Sequence, residues 1–349
     1  TITGNNFSPI ANDNHVYFGG VKASVLTAST TVLTVSVPPG AGHDVVSVRV
    51  GELTSSYHLP FHTTFSPGVT FDNTHFAPPD EFALTNADYD IEVADLDTDN
   101  KPDVAAQVAI SNRTVFFINS HLSGSITTGS LTAAGSTANT ATNPKLLDVD
   151  GNGFIDLVST STMYQNNSSP GLITFGPQLS LGIGAANITY SDFNRDGKID
   201  LTGANGGSAQ LLLMENRSTT GALVVPGTFG SFSTEFTIAR PAAGGGIASA
   251  DFDADGLPDV VVTNPGSDNL SIFPNANATR VNSATFGVRI DIPTGDNPGR
   301  VYTGDFDDDN RLDLLIYHGT GTNPTLLSVF QNQSTPGNFS FNRIDLTNP

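Results

Sequence analysis

Short apolar runs, alternating or continuous and each bounded by Gly, Asn, Asp or Pro, recur from one end of this chain to the other. VYFGG from Val16, VSVPPG from Val35 and VVSVRVG from Val45 alternate with the period of two expected of half-buried strands. Further on, DVAAQVAI from Asp103, DLVST from Asp156, DVVVTN from Asp259 and DLLIYH from Asp313 are nearly continuous apolar runs, too short for helices. No segment sustains the three- and four-residue spacing of an amphipathic helix. The pattern predicts an all-β chain.

Those four runs follow directly on an Asp-rich nonapeptide, of which there are five: DLDTDNKPD, DVDGNGFID, DFNRDGKID, DFDADGLPD and DFDDDNRLD. In each, side-chain oxygens stand at positions 1, 3, 5 and 9. These are Asp95, Asp97, Asp99 and Asp103; Asp148, Asp150, Asn152 and Asp156; Asp192, Asn194, Asp196 and Asp200; Asp251, Asp253, Asp255 and Asp259; and Asp305, Asp307, Asp309 and Asp313. Position 7 would add a backbone carbonyl, from Lys101, Phe154, Lys198, Leu257 or Arg311. Position 6 is Asn100, Gly153, Gly197, Gly256 or Asn310, the residue types that reach positive φ at least cost. A hard cation such as Ca²⁺ takes six to eight oxygens at about 2.3 to 2.6 Å. The expected cofactor is therefore Ca²⁺, up to five ions, one per loop.

Asp and Gly also build ordinary surface turns, but five copies in one internal register outweigh that explanation. Without a counter-ion, clustered carboxylates would repel one another and hold their protons more tightly. Position 12 would carry a bidentate Glu in an EF-hand; here it is Ala106, Ser159, Gly203, Val262 or Ile316, so these are loops between strands. Asn152 and Asn194 replace carboxylates, and weaker binding is expected in the second and third loops.

The length of 349 residues leaves room for two or more domains. A net charge of −20 argues against a nucleic-acid partner. Nineteen of the 34 acidic residues lie in the nonapeptides, so most of the acidity is a supply of ligands. The absence of cysteine removes disulfides, zinc–thiolate sites and thiol nucleophiles. No apolar stretch is long enough to span a membrane. The chain opens on TITGNNF, read as a processed or truncated part of a larger chain, with a monomeric segment expected. Weak calcium sites suit the millimolar Ca²⁺ outside cells, and secretion without disulfides points to a bacterial surface.

Catalytic signatures are missing: there is no GxSxG, HExxH or Walker A sequence. His15, His43, His58, His62, His75, His121 and His318 form no metal-binding pattern; Pro60 interrupts the pair at 58 and 62. No enzymatic activity is expected. Trp is absent, and Phe193, Phe252 and Phe306 recur at position 2 of their loops, where core packing explains them better than ligand stacking.

The loops begin at intervals of roughly 45 to 60 residues, in the range of propellers and other arrays. TFG at Thr174, Thr228 and Thr285 has weaker counterparts at Phe71 and Phe341, and an apolar run after each loop ends in Asn119, Asn166, Asn216, Asn275 or Asn332. Each unit thus holds about four short strands, the content of a propeller blade. On these residues, 65–349 resembles the FG-GAP/VCBS repeats of integrin-α-like propellers, although the second unit lacks the upstream Phe-Gly. ITGNNF, VYFGG and VPPG in residues 1–64 resemble an IPT/TIG module, an immunoglobulin-like β-sandwich. PGVTFDNTHFA at Pro67 matches PGNFSFNRIDL at Pro336, leaving a blade total between five and seven.

The resemblance implies calcium loops on one face and a protein or glycan ligand on the other, with Arg240, Asp296, Arg300, Tyr317 and His318 as residues to examine. It implies a non-enzymatic, calcium-binding protein of the cell surface or surroundings, serving adhesion or partner recognition. The alternatives are a carbohydrate-binding part of a larger secreted polysaccharide-active enzyme, and one segment of a surface stalk.

Overall fold

The computed structural model describes residues 1–18, 21–38, 44–50, 53–61, 88–108, 113–121, 127, 129–138, 144–181, 185–205, 209–219, 237–239, 245–276, 281, 284–295, 297–307, 309–319 and 325–347. The expected boundary near residue 64, the segment at Pro67, Arg240 and Asp296 lie outside them. Among the described residues there is no α-helix, and the expectation of an all-β chain holds.

The N-terminal unit comprises β1 (Ile2–Thr3), β2 (Asn14–Phe18), β3 (Val21–Ala28), β4 (Val32–Ser36), β5 (Asp44–Val50) and β6 (Leu53–Phe61), joined in the order β1-β4-β3-β2-β5-β6. Strand β3 serves two partners. Val21 to Ala23 pair with β2, and Ser24 to Ala28 pair with β4 across a bulge between Val25 and Thr27. A bulge bends and twists its strand, so the sheet curls over on itself. Inside the curl lie Val16, Phe18, Ala23, Leu33 and Val48, the alternate apolar positions of the sequence pattern.

Five four-stranded antiparallel meanders follow. The first contains β7 (Asp88–Ala94), β8 (Asp103–Val108), β9 (Arg113–Asn119) and β10 (Leu131–Ala138). The second contains β11 (Lys145–Leu147), β12 (Asp156–Val158), β13 (Thr162–Tyr164) and β14 (Leu179–Ser180). The third contains β15 (Ala185–Ser191), β16 (Asp200–Asn205), β17 (Gln210–Met214) and β18 (Thr237–Ala239). The fourth contains β19 (Ile247–Ala250), β20 (Asp259–Asn264), β21 (Asn269–Phe273) and β22 (Ile290–Pro293). The fifth contains β23 (Pro298–Gly304), β24 (Asp313–His318), β25 (Thr325–Asn332) and β26 (Phe341–Thr347). Every Asp loop joins the first strand of its sheet to the second, and position 9 is the second strand's first residue.

In the second and fourth sheets the continuous apolar runs arise because both faces are covered. In β20, Val260 and Val262 pack with Leu211, Leu213 and Phe193 of the third sheet, whereas Val261 packs with Leu314, Ile316 and Phe330 of the fifth. In β17, Leu211 and Leu213 face the fourth sheet while Leu212 and Met214 face Val158 and Met163 of the second. A strand buried on both sides cannot carry polar alternation. Each fully buried Phe or Leu of these joins contributes about 1.5 to 3 kcal/mol relative to exposure.

The sheets therefore stack in series, and β7 touches β11, β15 touches β19, and β19 touches β23. Arg300 of β23 also lies 3.9 Å from Asp90 of β7, so the first strand of the fifth sheet approaches that of the first. The far face of the fifth sheet is nevertheless open. Tyr302 pairs with Leu315, Leu315 with Val329 and Val329 with Ile344, and Tyr302 and Ile344 are 49% and 45% exposed.

Candidate metal centres

One hydrogen-bond scheme shapes all five loops. The position-1 carboxylate accepts the position-6 amide: Asn100 to Asp95 at 2.9 Å, Gly153 to Asp148 at 2.9 Å, Gly197 to Asp192 at 2.9 Å, Gly256 to Asp251 at 2.8 Å and Asn310 to Asp305 at 2.9 Å. The position-9 carboxylate accepts two amides. One oxygen takes the position-2 N–H, as from Phe252 to Asp259 at 3.0 Å, and the other takes that of the repeat's Asn, as from Asn275 to Asp259 at 2.8 Å. Smaller turns join position 5 to position 3 and position 7 to position 5, as in Asp99 to Asp97 at 3.0 Å and Lys101 to Asp99 at 2.9 Å. The chain curls so tightly that its alternate side chains point inward.

The curl needs two left-handed residues, not the one that the sequence indicated. Position 6 has positive φ as expected, for example 64° at Asn100 and 87° at Gly256. Position 4 has it too: 65° at Thr98, 57° at Arg195 and 61° at Ala254. Nothing in those residue types marks the conformation.

Carboxylates converge in four loops. One oxygen from each of Asp95, Asp97 and Asp99 lies within 4.8 Å of the others, and the same holds for Asp148, Asp150 and Asp156, for Asp251, Asp253 and Asp255, and for Asp305, Asp307 and Asp313. In the third loop Asn194 takes the place of a carboxylate, and no such acidic group forms there among the described residues. Burial raises the affinity of several carboxyls for protons: Asp95 to about 6, Asp103 to about 7, and Asp200 to about 8. In each, loss of hydration is the main cause, opposed by backbone hydrogen bonds and reinforced by neighbouring carboxylates.

These donors suit a hard, oxygen-liganded cation, since no His or Cys enters any group. The first loop supplies the direct test: Asp95 is 5% exposed, and its Oδ1 is buried without a hydrogen-bond partner. A buried lone acceptor facing other carboxylates is costly unless a cation meets it. Partial counter-charges are built in as well. Lys101 Nζ reaches Asp99 at 2.5 Å and Arg311 reaches Asp309 at 3.6 Å, both from position 7 back to position 5.

Three further contacts were not legible in the loops themselves. Asp97 accepts the Gly171 amide of the second sheet at 2.6 Å, and Asp253 accepts the Gly337 amide of the fifth at 2.6 Å. Both glycines sit in Ser-x-Pro-Gly turns, a repeated signal that could have found them. Arg49 of the N-terminal unit pairs with Asp148.

On the opposite side, Arg300 and Tyr317 are exposed as expected of surface residues, but His318 is not. It is 3% exposed and its Nε2 bonds Ser328 Oγ at 2.8 Å, while Ser328 donates to Asp345 at 2.7 Å. The fourth sheet repeats the arrangement with Asn264, Ser271 and Asp291. An arrangement that survives exchange of His for Asn is a sheet-stabilising chain of hydrogen bonds, and His318 is corrected from a surface candidate to a buried one.

Fold and loops define an all-β protein of serial, four-stranded Asp-loop repeats behind a curled N-terminal sheet. Residues 1–63 match the family model of the IPT/TIG domain, and residues 192–262 and 251–316 match that of the FG-GAP-like repeat. The chain carries FG-GAP-like repeats preceded by an IPT/TIG domain. No curated protein matches it. Among solved structures, a lectin of Agrocybe aegerita described as specifically recognising non-reducing terminal N-acetylglucosamine is similar, with 17% identity and a TM-score of 0.51 over 96% of this chain and 90% of that one. A functionally unknown protein from Desulfotomaculum acetoxidans shares 12% identity over 87% of this chain and 77% of that one, with a TM-score of 0.49. The V. cholerae biofilm matrix protein Bap1 shares 10% identity over 95% and 75%, with a TM-score of 0.25. At these identities the first likeness speaks for the fold alone.

Proposed function

We propose that this chain is a non-enzymatic, calcium-stabilised recognition module that works outside the cell, with its five repeat sheets arranged as a propeller. The observation that carries the reading is the orphaned Asp95 Oδ1, buried among the carboxylates of a loop whose plan recurs five times. Bound calcium would neutralise the converging carboxylates, and the chain's own residues would hold the loop in place through the amide bonds already described.

Such loops hold the scaffold and leave recognition to the connections at the other end of the sheets. Arg300 and Tyr317, the latter 42% exposed, lie there. Adhesion to a protein or glycan partner fits a scaffold with FG-GAP-like repeats. The test has two parts: calorimetric titration with Ca²⁺, and binding of the calcium-loaded chain to a glycan array that includes terminal N-acetylglucosamine, alongside binding to cell-surface protein. Absence of calcium binding sinks the first half of the reading. Retention of all partner binding after Arg300→Ala with Tyr317→Ala sinks the assignment of the face.

A further inference from the structure

The second Asp loop differs from the others in what already fills it. Arg49, in β5, buries its guanidinium against Asp148, the position-1 carboxylate, and the two side chains are only 4% and 8% exposed. As in the loops at Asp192, Asp251 and Asp305, both oxygens of this carboxylate also accept backbone amides, Gly151 N–H on Oδ1 at 2.8 Å and Gly153 N–H on Oδ2 at 2.9 Å, so the guanidinium is what sets this loop apart. Tyr17 of β2 makes a second contact, donating its hydroxyl to the Gly153 carbonyl at 3.0 Å. Its ring lies among Ile155 and Leu157, which follow in the same loop and strand.

The loop's own sequence makes room for this. Position 4 is Thr98, Arg195, Ala254 and Asp308 in the other loops but Gly151 here. Backbone geometry does not demand glycine, because Thr98, Arg195 and Ala254 adopt φ of 65°, 57° and 61° against 74° for Gly151. Space does: a Cβ at Gly151 would overlap the Arg49 guanidinium. Position 5 is Asn152, one carboxylate fewer than in the loops at Asp95, Asp251 and Asp305. A divalent ion among these carboxylates would meet a fixed, always-charged guanidinium at short range in a poorly hydrated place, where like charges repel strongly.

We propose that the second loop is not a metal site but the docking socket of the N-terminal unit, with the Arg49 guanidinium standing where the other loops take a cation. The proposal rests on the calcium reading for those other loops, and it gives the N-terminal unit a calcium-independent attachment. The test is the calcium stoichiometry of the full chain by native mass spectrometry. Asp150→Asn should leave the wild-type count unchanged, whereas Arg49→Gln should raise it by one ion, which Asp150→Asn in that background removes again. Gly151→Ala, which copies the fourth loop, should evict the guanidinium and add the same ion without deleting a charge. Hydrogen exchange in EGTA gives the docking readout: amides of 149–156 stay protected in the wild type and lose protection at least tenfold in Arg49→Gln or Gly151→Ala. Loss of an ion from wild type on Asp150→Asn, or no gained ion in either variant, overturns the socket. A count that stays unchanged on Asp253→Asn as well shows instead that the calcium reading of the other loops has failed.

Discussion

The side-chain amide of Asn275 donates to the main-chain carbonyl of Phe193 at 2.8 Å, bridging the fourth sheet to the loop of the third. Asn166 does the same to Leu96 at 2.8 Å, Asn216 to Val149 at 2.9 Å and Asn332 to Phe252 at 2.8 Å. Each Asn therefore ties its own loop, through its backbone amide on the position-9 Asp, to the loop before it. Asn119, in the first sheet, bonds within its own loop, to the Pro102 carbonyl at 3.0 Å. Asn275→Ala would leave a buried carbonyl without its donor, at a cost of about 1 to 3 kcal/mol. Urea denaturation should show a clearly smaller loss for Asn119→Ala; equal losses would show that the bridge between sheets contributes nothing.

Calcium withdrawal should lower the melting temperature. For a site with a dissociation constant of about 0.1 mM, millimolar Ca²⁺ adds about 1.4 kcal/mol if only the folded state binds. Asp251→Asn alters a loop whose carboxylates converge, so it should reduce the calcium-dependent shift, and Asp192→Asn should reduce it less, since that loop has Asn194 in place of a carboxylate and no converging acidic group among the described residues. Differential scanning calorimetry with and without EGTA measures both, and an unchanged wild-type melting temperature would refute the role of calcium in stability.

Much of this architecture was legible because it is local and repeated. Alternate oxygens, a positive-φ residue at position 6 and short apolar runs all follow from spacing along one strand–loop–strand unit, and the structure returns them sheet after sheet. What escaped is what depends on a neighbour in space. Arg49 reads as one residue of an alternating strand, and only its partner, 99 positions away, reveals it as the occupant of a loop. His318 looked like a surface histidine because a polar residue after an apolar run usually is one, yet Ser328 buries and satisfies it.

The calcium-free protein should lose stability as pH rises. Burial, the leading cause, pushes Asp95 up to about 6, Asp103 to about 7 and Asp259 to about 8, from an ordinary value of 3.8. Between that ordinary value and the raised ones, the folded state keeps protons that the unfolded chain has released. Stability from this source is then complete below about pH 4 and declines through pH 6 to 8. Calcium must displace the same protons, so its affinity should climb over that window. Urea midpoints in EGTA at pH 5.5 and 8.5 provide the check, and a higher midpoint at pH 8.5 would contradict the assignment.

Phe252 and Phe306 occupy the same position 2 in loops of the same plan, and the sequence predicts a core role for both. The structure separates them. Phe252 is 2% exposed, enclosed by Leu312, Leu314 and Phe330 of the following sheet, with the Phe341 ring at 6.5 Å. Phe306 is 51% exposed, because among the described residues no sheet follows the fifth to cover it. Phe252→Ala should therefore cost about 3 to 5 kcal/mol, while Phe306→Ala should stay within about 1 kcal/mol of wild type. If denaturation gives Phe306→Ala a cost close to that of Phe252→Ala, the open face of the fifth sheet is covered in solution, and the register of Tyr302, Leu315, Val329 and Ile344 would be the surface to map next.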